Sequence, residues 1–385
     1  MINKLTTQKV ENIFIAVSCI ELFMGLLRMC QVTLPFSRYI LWIFTLFYAA
    51  VAAVRHYSKK AKVVFVILMV FGTLLYINTG LNKGIRAVFY LYALKDVDMR
   101  KYYKSVLTVL VVSSMLFAVL SRFGVLENFT ITDVRNDRGF NGVRYSFGYE
   151  HPNTTMFVAF LSLICELIIY HEKQPWYAYM AVIGVCSLLY YFTDSRTRFM
   201  VGAAVIVGII CVRFIHWDGW TGVAFVVFAM ALITMLTISV MAACHVENDW
   251  MLTINHFISG RMNQLEKYPC DTKYALAYIE NWHLFGDGSN HNDYDMGYIQ
   301  IFYYYGIVPA VCYLSCVAGA AIKVWKDGGA WKLVVLVGLC VYLFMESVYF
   351  SNFVPVDFLL VFSVSVLWGD YGREEKDRKR RFLDG

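Results

Sequence analysis

The sequence predicts an all-α protein embedded in a membrane, with about twelve crossings. Hydrophobic residues make up 59% of the 385 and charged residues only 16%, too few to give a soluble globule its usual charged surface. The mean hydropathy is +0.55. Apolar runs of bilayer-crossing length recur from end to end, separated by short basic or polar stretches. The first, from Ile13 to Leu27, holds Glu21 and is followed by many like it, so it reads as a first crossing rather than a cleaved signal peptide. No stretch marks a separate soluble domain, and residues 1–385 read as one membrane domain.

Crossings are expected near 12–32, 38–54, 63–79, 80–95, 105–123, 154–170, 176–193, 199–215, 220–242, 297–322, 332–349 and 353–368. The segment at 80–95 is the least apolar, because Lys83, Arg86 and Lys95 leave a short centre, and a re-entrant segment is the alternative there. Twelve crossings return both termini to one side. The basic stretches around Lys59, Lys101 and Arg378 make that side cytoplasmic. Residues 124–153 and 243–296 then become extracytoplasmic loops. Most of the ten cysteines lie inside apolar runs, as packed small hydrophobes; Cys244 and Cys270 flank a polar loop and leave a disulfide open. The net charge of +6 is spread between hydrophobic runs rather than set among aromatics on a polar face, which excludes a nucleic-acid binder.

On this topology lysine gathers on the inner face and arginine on the outer. The two are equally good topology signals, so the outer excess points to planar, bidentate binding of phosphate or carboxylate. Arg135, Arg138, Arg144 and His151 precede Pro152, which stiffens the start of the next crossing. The DSRTR turn at 194–198 sets Arg196 and Arg198 at bilayer depth, where a charge is paired or functional. Glu166 and Glu346, inside later crossings, are candidate partners; lining a cavity is their other possible role.

The densest set of reactive side chains runs from His283 to Gly306. Gly286 and Gly288 mark a turn, and an apolar, aromatic run begins at Met296. His291 and Asp295 share a face if one helix includes both, while Asp293 points elsewhere. Asp293 and Asp295 also read as helix caps.

One membrane face thus receives Arg144, His151, Arg196, Arg198, Arg261, His291 and Asp295. Arginines at that level suit a lipid-linked diphosphate. A neighbouring base suits proton removal from an attacking hydroxyl, and together they describe glycosyl transfer from a polyprenyl diphosphate sugar, which needs no cofactor. Trp250, Tyr268, Trp282, Tyr294 and Tyr298 offer sugar-stacking faces or interface anchors. Two rival readings stand beside this one. Asp293 and Asp295, near Asp287 and His291, have D-x-D spacing for Mg or Mn. A flippase for the lipid-linked unit would also want arginines among many crossings, but the chain shows no repeated halves and its polar chemistry gathers at one face.

Five short motifs occur in order: Arg144, Gly148 and His151-Pro152-Asn153; Thr193 with Ser195-Arg196-Thr197; Ser259-Gly260-Arg261; Leu284 to Gly288; and Asp295, Tyr298, Tyr305 and Gly306. Each is weak alone. As an ordered set across residues 80–310 they resemble the O-antigen polymerase and ligase superfamily. The resemblance implies an integral-membrane glycosyltransferase of the GT-C type, free of metal, that uses undecaprenyl diphosphate-linked oligosaccharides at the outer leaflet of the bacterial cytoplasmic membrane. It favours the polymerase branch of capsule or exopolysaccharide synthesis, with flippase and chain-length regulator proteins as partners; a ligase is the alternative. His291-Asn292 copies the family's His-Asn dipeptide, but Asp295 has the family's separation from Gly306. Asp295 is therefore the favoured catalytic position, with His291 as partner, substitute or orienting group. Arg196, then Arg144 and Arg261, are the expected diphosphate ligands, joined by His151, Arg198 and Tyr298. Salt bridges to Asp194, Asp133, Asp137 or Glu150 are the other role open to the arginines.

Overall fold

The computed structural model describes residues 2–32, 37–127, 129–135, 140–215, 217–244, 248–258, 260–265, 278–286, 295–346 and 353–369. In chain order it contains α1 (Ile2–Arg28), α2 (Ser37–Ala53), α3 (Lys59–Thr79), α4 (Lys83–Ala93), α5 (Met99–Arg122), strands β1 (Thr130–Arg135) and β2 (Phe140–Tyr145), α6 (Pro152–Tyr170), α7 (Trp176–Thr193) and α8 (Arg196–Phe214). It continues with α9 (Trp220–Ala243), α10 (Asp249–Phe257), α11 (Gly297–Gln300), α12 (Ile307–Asp327), α13 (Ala330–Met345) and α14 (Phe358–Trp368). Among the described residues eight helices are long and apolar enough to cross a membrane: α1 from Gln8 onward, α3, α5 to α9, and α12. Three more, α2 from Tyr39, α13 and α14, are apolar but shorter. The chain is an all-α membrane protein whose described sheet is one antiparallel hairpin, with Thr130 opposite Tyr145 and Arg135 opposite Phe140.

The expected membrane domain divides into two compact units. One takes the described residues of 1–37 and 98–217, the other those of 38–97 and 218–385. In the first, α6 is the central helix, with Phe157, Leu161, Ile164 and Leu167 fully buried among α5, α7 and α8. Pro152 opens α6 at its first position, where a missing N–H costs nothing. His151 caps it, accepting the Asn153 N–H at Nδ1 over 3.0 Å. The preceding turn lies tightly on α5. Gly148 has φ +89°, and a Cβ there would stand 2.6 Å from the Phe117 carbonyl oxygen.

In the second unit α3 and α4 pack through glycines. A Cβ on Gly72 would stand 3.1 Å from Ile85 N, and one on Gly84 3.3 Å from the Gly72 Cα, so only small residues permit this approach. With 11 residues, α4 is about half of a crossing. Its far end nonetheless meets the beginning of α3: the Tyr92 OH donates to Ala61 O at 2.7 Å, the Tyr57 OH to Tyr92 O at 2.9 Å, and Lys95 Nζ to His56 O. A turn at Leu81 and Asn82 reaches back beside α3 to the level of Gly72, and the short helix covers the remaining distance.

The run expected as one helix over 297–322 is broken. After α11 comes a π-helical turn, Ile301–Tyr305, then Gly306 at φ +98°, then α12. The cause is backbone packed against backbone. The N–H groups of Ile307 and Val308 donate to His283 O and Leu284 O at 2.9 and 3.0 Å, which satisfies two donors of the α12 first turn. A side chain on Gly306 would stand 2.3 Å from Gly286 N and 2.7 Å from Leu284 O. The crossing expected over 353–368 likewise begins with a 3₁₀ turn, Val354–Val356, before α14.

Gly306→Ala is expected to cost more than about 2 kcal/mol, since it combines backbone strain with overpacking. Gly80 also has positive φ, but no atom lies within 4 Å of its Cβ position, so Gly80→Ala should cost only about 1 kcal/mol. Thermal unfolding of both variants in one detergent checks the order.

Candidate functional site

In the first unit Arg144, Arg196 and Arg198 lie around the α7–α8 turn. Asp194 ends α7 in the left-handed region, at φ +45°, and Ser195 leads directly into α8. Arg196 is therefore the first residue of α8 and Arg198 the third. No acid occupies that first turn and no side chain caps it, although the helix dipole favours negative charge there. The Ser195 Oγ instead accepts from Arg198 Nη1 at 3.0 Å, and Arg198 is 2% exposed. Arg144, 4% exposed, reaches across from β2. Its Nε–H donates to Thr193 O and its Nη2–H to Asn153 Oδ1, each at 2.8 Å, so one guanidinium ties the hairpin to the end of α7 and the start of α6. Arg196 differs: its side chain is 45% exposed, with Nε 3.5 Å from Asp194 Oδ1. Asp194 is only 8% exposed, so the pair opens to water on the arginine side alone.

His151 and Tyr149 stand just before α6. The Tyr149 OH lies 2.9 Å from Ser114 Oγ, and burial pushes the phenol well above its ordinary pKa despite that bond, so it remains protonated. Glu166 engages Gln174 and not an arginine.

The second unit holds Arg261 between two carboxylates. Nη2 is 2.5 Å from Glu346 Oε1, and Nε is 3.8 Å from Asp295 Oδ2. Glu346, at the end of α13, is buried, while the Asp295 side chain is 45% exposed. Arg261 Nη1 is buried and makes no hydrogen bond among the described residues. What brings the two acids together is Gly297, whose Cβ would stand 2.3 Å from Leu343 O and 2.7 Å from Glu346 O. The α11 backbone thus rests on the end of α13. Asp295 lies two residues before α11 rather than within a helix. One guanidinium faces two negative groups, and the nearer, drier one claims most of it. Asp295 is left partly solvated, and its contact with Arg261 is the longer of the two.

Arg144, His151, Arg196 and Arg198 therefore belong to one unit, and Arg261, Asp295 and Tyr298 to the other. Tyr298 is buried, its OH 3.3 Å from Cys340 O. Trp282 stacks on Phe302, with ring centres 4.8 Å apart. His291, Arg138, Asp287, Asp293, Tyr268, Tyr294 and Cys270 lie outside the described residues. Among the described residues no three of His, Cys, Asp or Glu are placed to hold a metal ion. Sequence reasoning missed the role of Asn153 as acceptor for Arg144, and offered Glu346 only as one of two possible arginine partners. The available signal for Glu346 was a carboxylate inside an apolar run. Comparison with known proteins finds no matching family model, no similar curated protein and no similar solved structure.

Glu346→Ala strands the buried Arg261 charge and is expected to cost about 3–5 kcal/mol. Glu346→Gln keeps a hydrogen-bond acceptor and should cost less. Denaturation of the purified variants, followed by intrinsic fluorescence, measures both.

Proposed function

We propose that the protein is a polysaccharide polymerase of the O-antigen polymerase and ligase type. It joins undecaprenyl diphosphate-linked oligosaccharide repeat units at the outer leaflet of a bacterial cytoplasmic membrane, with both termini in the cytoplasm. The observation that carries this reading is the start of α8. A long helix opens with arginine in place of acid and with no side-chain cap; phosphate oxygens are the groups that such a terminus attracts. Arg196, exposed at that terminus, adds a planar fork that suits a diphosphate and the charge that grows on it as it leaves. Arg198 and Arg144, engaged with Ser195, Thr193 and Asn153, brace the turn.

Proton transfer falls to Asp295, with His291 as the alternative base. The acceptor hydroxyl oxygen bonds to the anomeric carbon of the donor. The bond from that carbon to the diphosphate oxygen breaks with its electron pair, and the hydroxyl proton passes to the base. Arg261 pairs with Glu346 at 2.5 Å and approaches Asp295 at 3.8 Å, the longer of the two contacts.

In a strain lacking the protein, single lipid-linked repeat units are expected to collect on the outer leaflet. Collection on the inner leaflet would indicate a flippase, and unattached full-length polymer a ligase. Arg196→Lys keeps the charge and loses the fork; polymer should fall about a hundredfold, and wild-type polymer at equal protein level would remove the diphosphate role. Asp295→Ala and His291→Ala, tested separately on gels of lipid-linked glycans, identify the base as the one whose loss slows elongation by about 10²–10⁴-fold.

A further inference from the structure

The second unit contains an elongated cavity of about 630 Å³ walled by α3, α4, α12 and α14, within the range of roughly 300–1,000 Å³ typical of small-ligand sites. Along α3 it runs from Ala61 to Leu75, about 21 Å at the helical rise per residue. Such a length is more than half of a bilayer core, which is about 30 Å thick. Its walls are hydrocarbon for most of that length, with Val64, Leu68, Leu360 and Val364 among them. A sugar placed there would forfeit its hydrogen bonds to water.

Polar groups gather at one end. Lys83 and Asp357, 6% and 2% exposed, both line the cavity. The Tyr313 OH donates to Asp357 Oδ1 at 2.9 Å, the Leu360 N–H donates to the same oxygen at 3.1 Å, and Lys83 Nζ stands 5.3 Å from the centre of the Tyr305 ring. At the other end Tyr92 and Trp368 meet edge to face at 5.5 Å. Their polar atoms are committed to backbone, Tyr92 to Ala61 O and Trp368 Nε1 to Leu91 O, so they present rings to the cavity. Val64 and Val311, each about half exposed, border its side. Both lie on helices apolar and long enough to cross a membrane, so the mouth faces hydrocarbon.

We propose that this cavity binds one lipid chain. The tail lies toward Tyr92 and Trp368, and a hydrogen-bond-accepting head group meets Lys83. The chain slides in sideways from the bilayer past Val64 and Val311. A fatty acyl chain and an isoprenoid chain share this chemistry. None of Arg196, Arg261, Asp295 or Tyr298 lines the cavity, so lipid binding there and the proposed glycosyl transfer are separable.

Lipids extracted from the full-length protein, purified in mild detergent, are quantified by mass spectrometry. Wild type is expected to retain about one chain per protein. Cys312→Trp and Ala87→Phe, which fill the cavity from α12 and α4, are expected to lose at least tenfold while eluting as wild type does on gel filtration. Retention unchanged in a folded variant, or no lipid on wild type, overturns the proposal. Should neither variant fold, wild-type membranes irradiated with photoreactive palmitate and photoreactive farnesol decide it. Adducts concentrated in residues 61–92, 309–316 and 357–368 are expected, and the probe that labels them names the source. Adducts spread equally over α5 to α8, or absent from these segments, overturn it.

Discussion

The second unit depends on a contact made without side chains. Gly286 lies against Gly306, and the carbonyls just before Gly286 receive the first N–H groups of α12. That contact fixes where α12 begins. The π-helical turn and α11 are then suspended between it and a second glycine contact, Gly297 on the end of α13. Asp295 lies at the edge of this suspended segment, so its position is set by two places where no Cβ fits. Backbone contacts of this kind have no rotamers, which makes them a stiff mount for the Asp295 carboxylate.

The arginines divide by what they face. Arg144 spends its fork on a carbonyl and an amide oxygen, Arg198 on a hydroxyl, and Arg261 on a buried carboxylate. The charge of Arg261 is matched by Glu346 at 2.5 Å, and Arg196 lies 3.5 Å from Asp194. For Arg144 and Arg198 the shape of the group matters: several N–H groups in one plane can join segments that a lysine could not. Arg144 and Arg198 thus serve as internal braces, whereas the Arg196 side chain is 45% exposed.

Composition alone was enough for the membrane class, because 59% hydrophobic residues leave no soluble alternative. Local chemistry was legible where one residue type has one use, as with Pro152 at the start of α6 or the short polar turn that separates α7 from α8. The break at Gly306 was not legible. The run from Met296 is apolar throughout, and hydropathy cannot register a helix interrupted by a contact from residues 283–286. The course of α4 was hidden for a related reason: Lys83 and Arg86 left the segment only a short apolar centre, as a weak crossing or a re-entrant one, and spacing does not show that both are buried. Nor could pairing be read from spacing, since Arg261 and Glu346 are 85 positions apart.

The capping bond at α6 also settles the chemistry of His151. An imidazole nitrogen that accepts an amide hydrogen cannot carry a proton of its own, so Nδ1 is bare and the ring hydrogen resides on Nε2. One nitrogen thus serves both the ring and the backbone of α6, and a side chain without an acceptor at that place would leave the Asn153 N–H unsatisfied at the start of the helix.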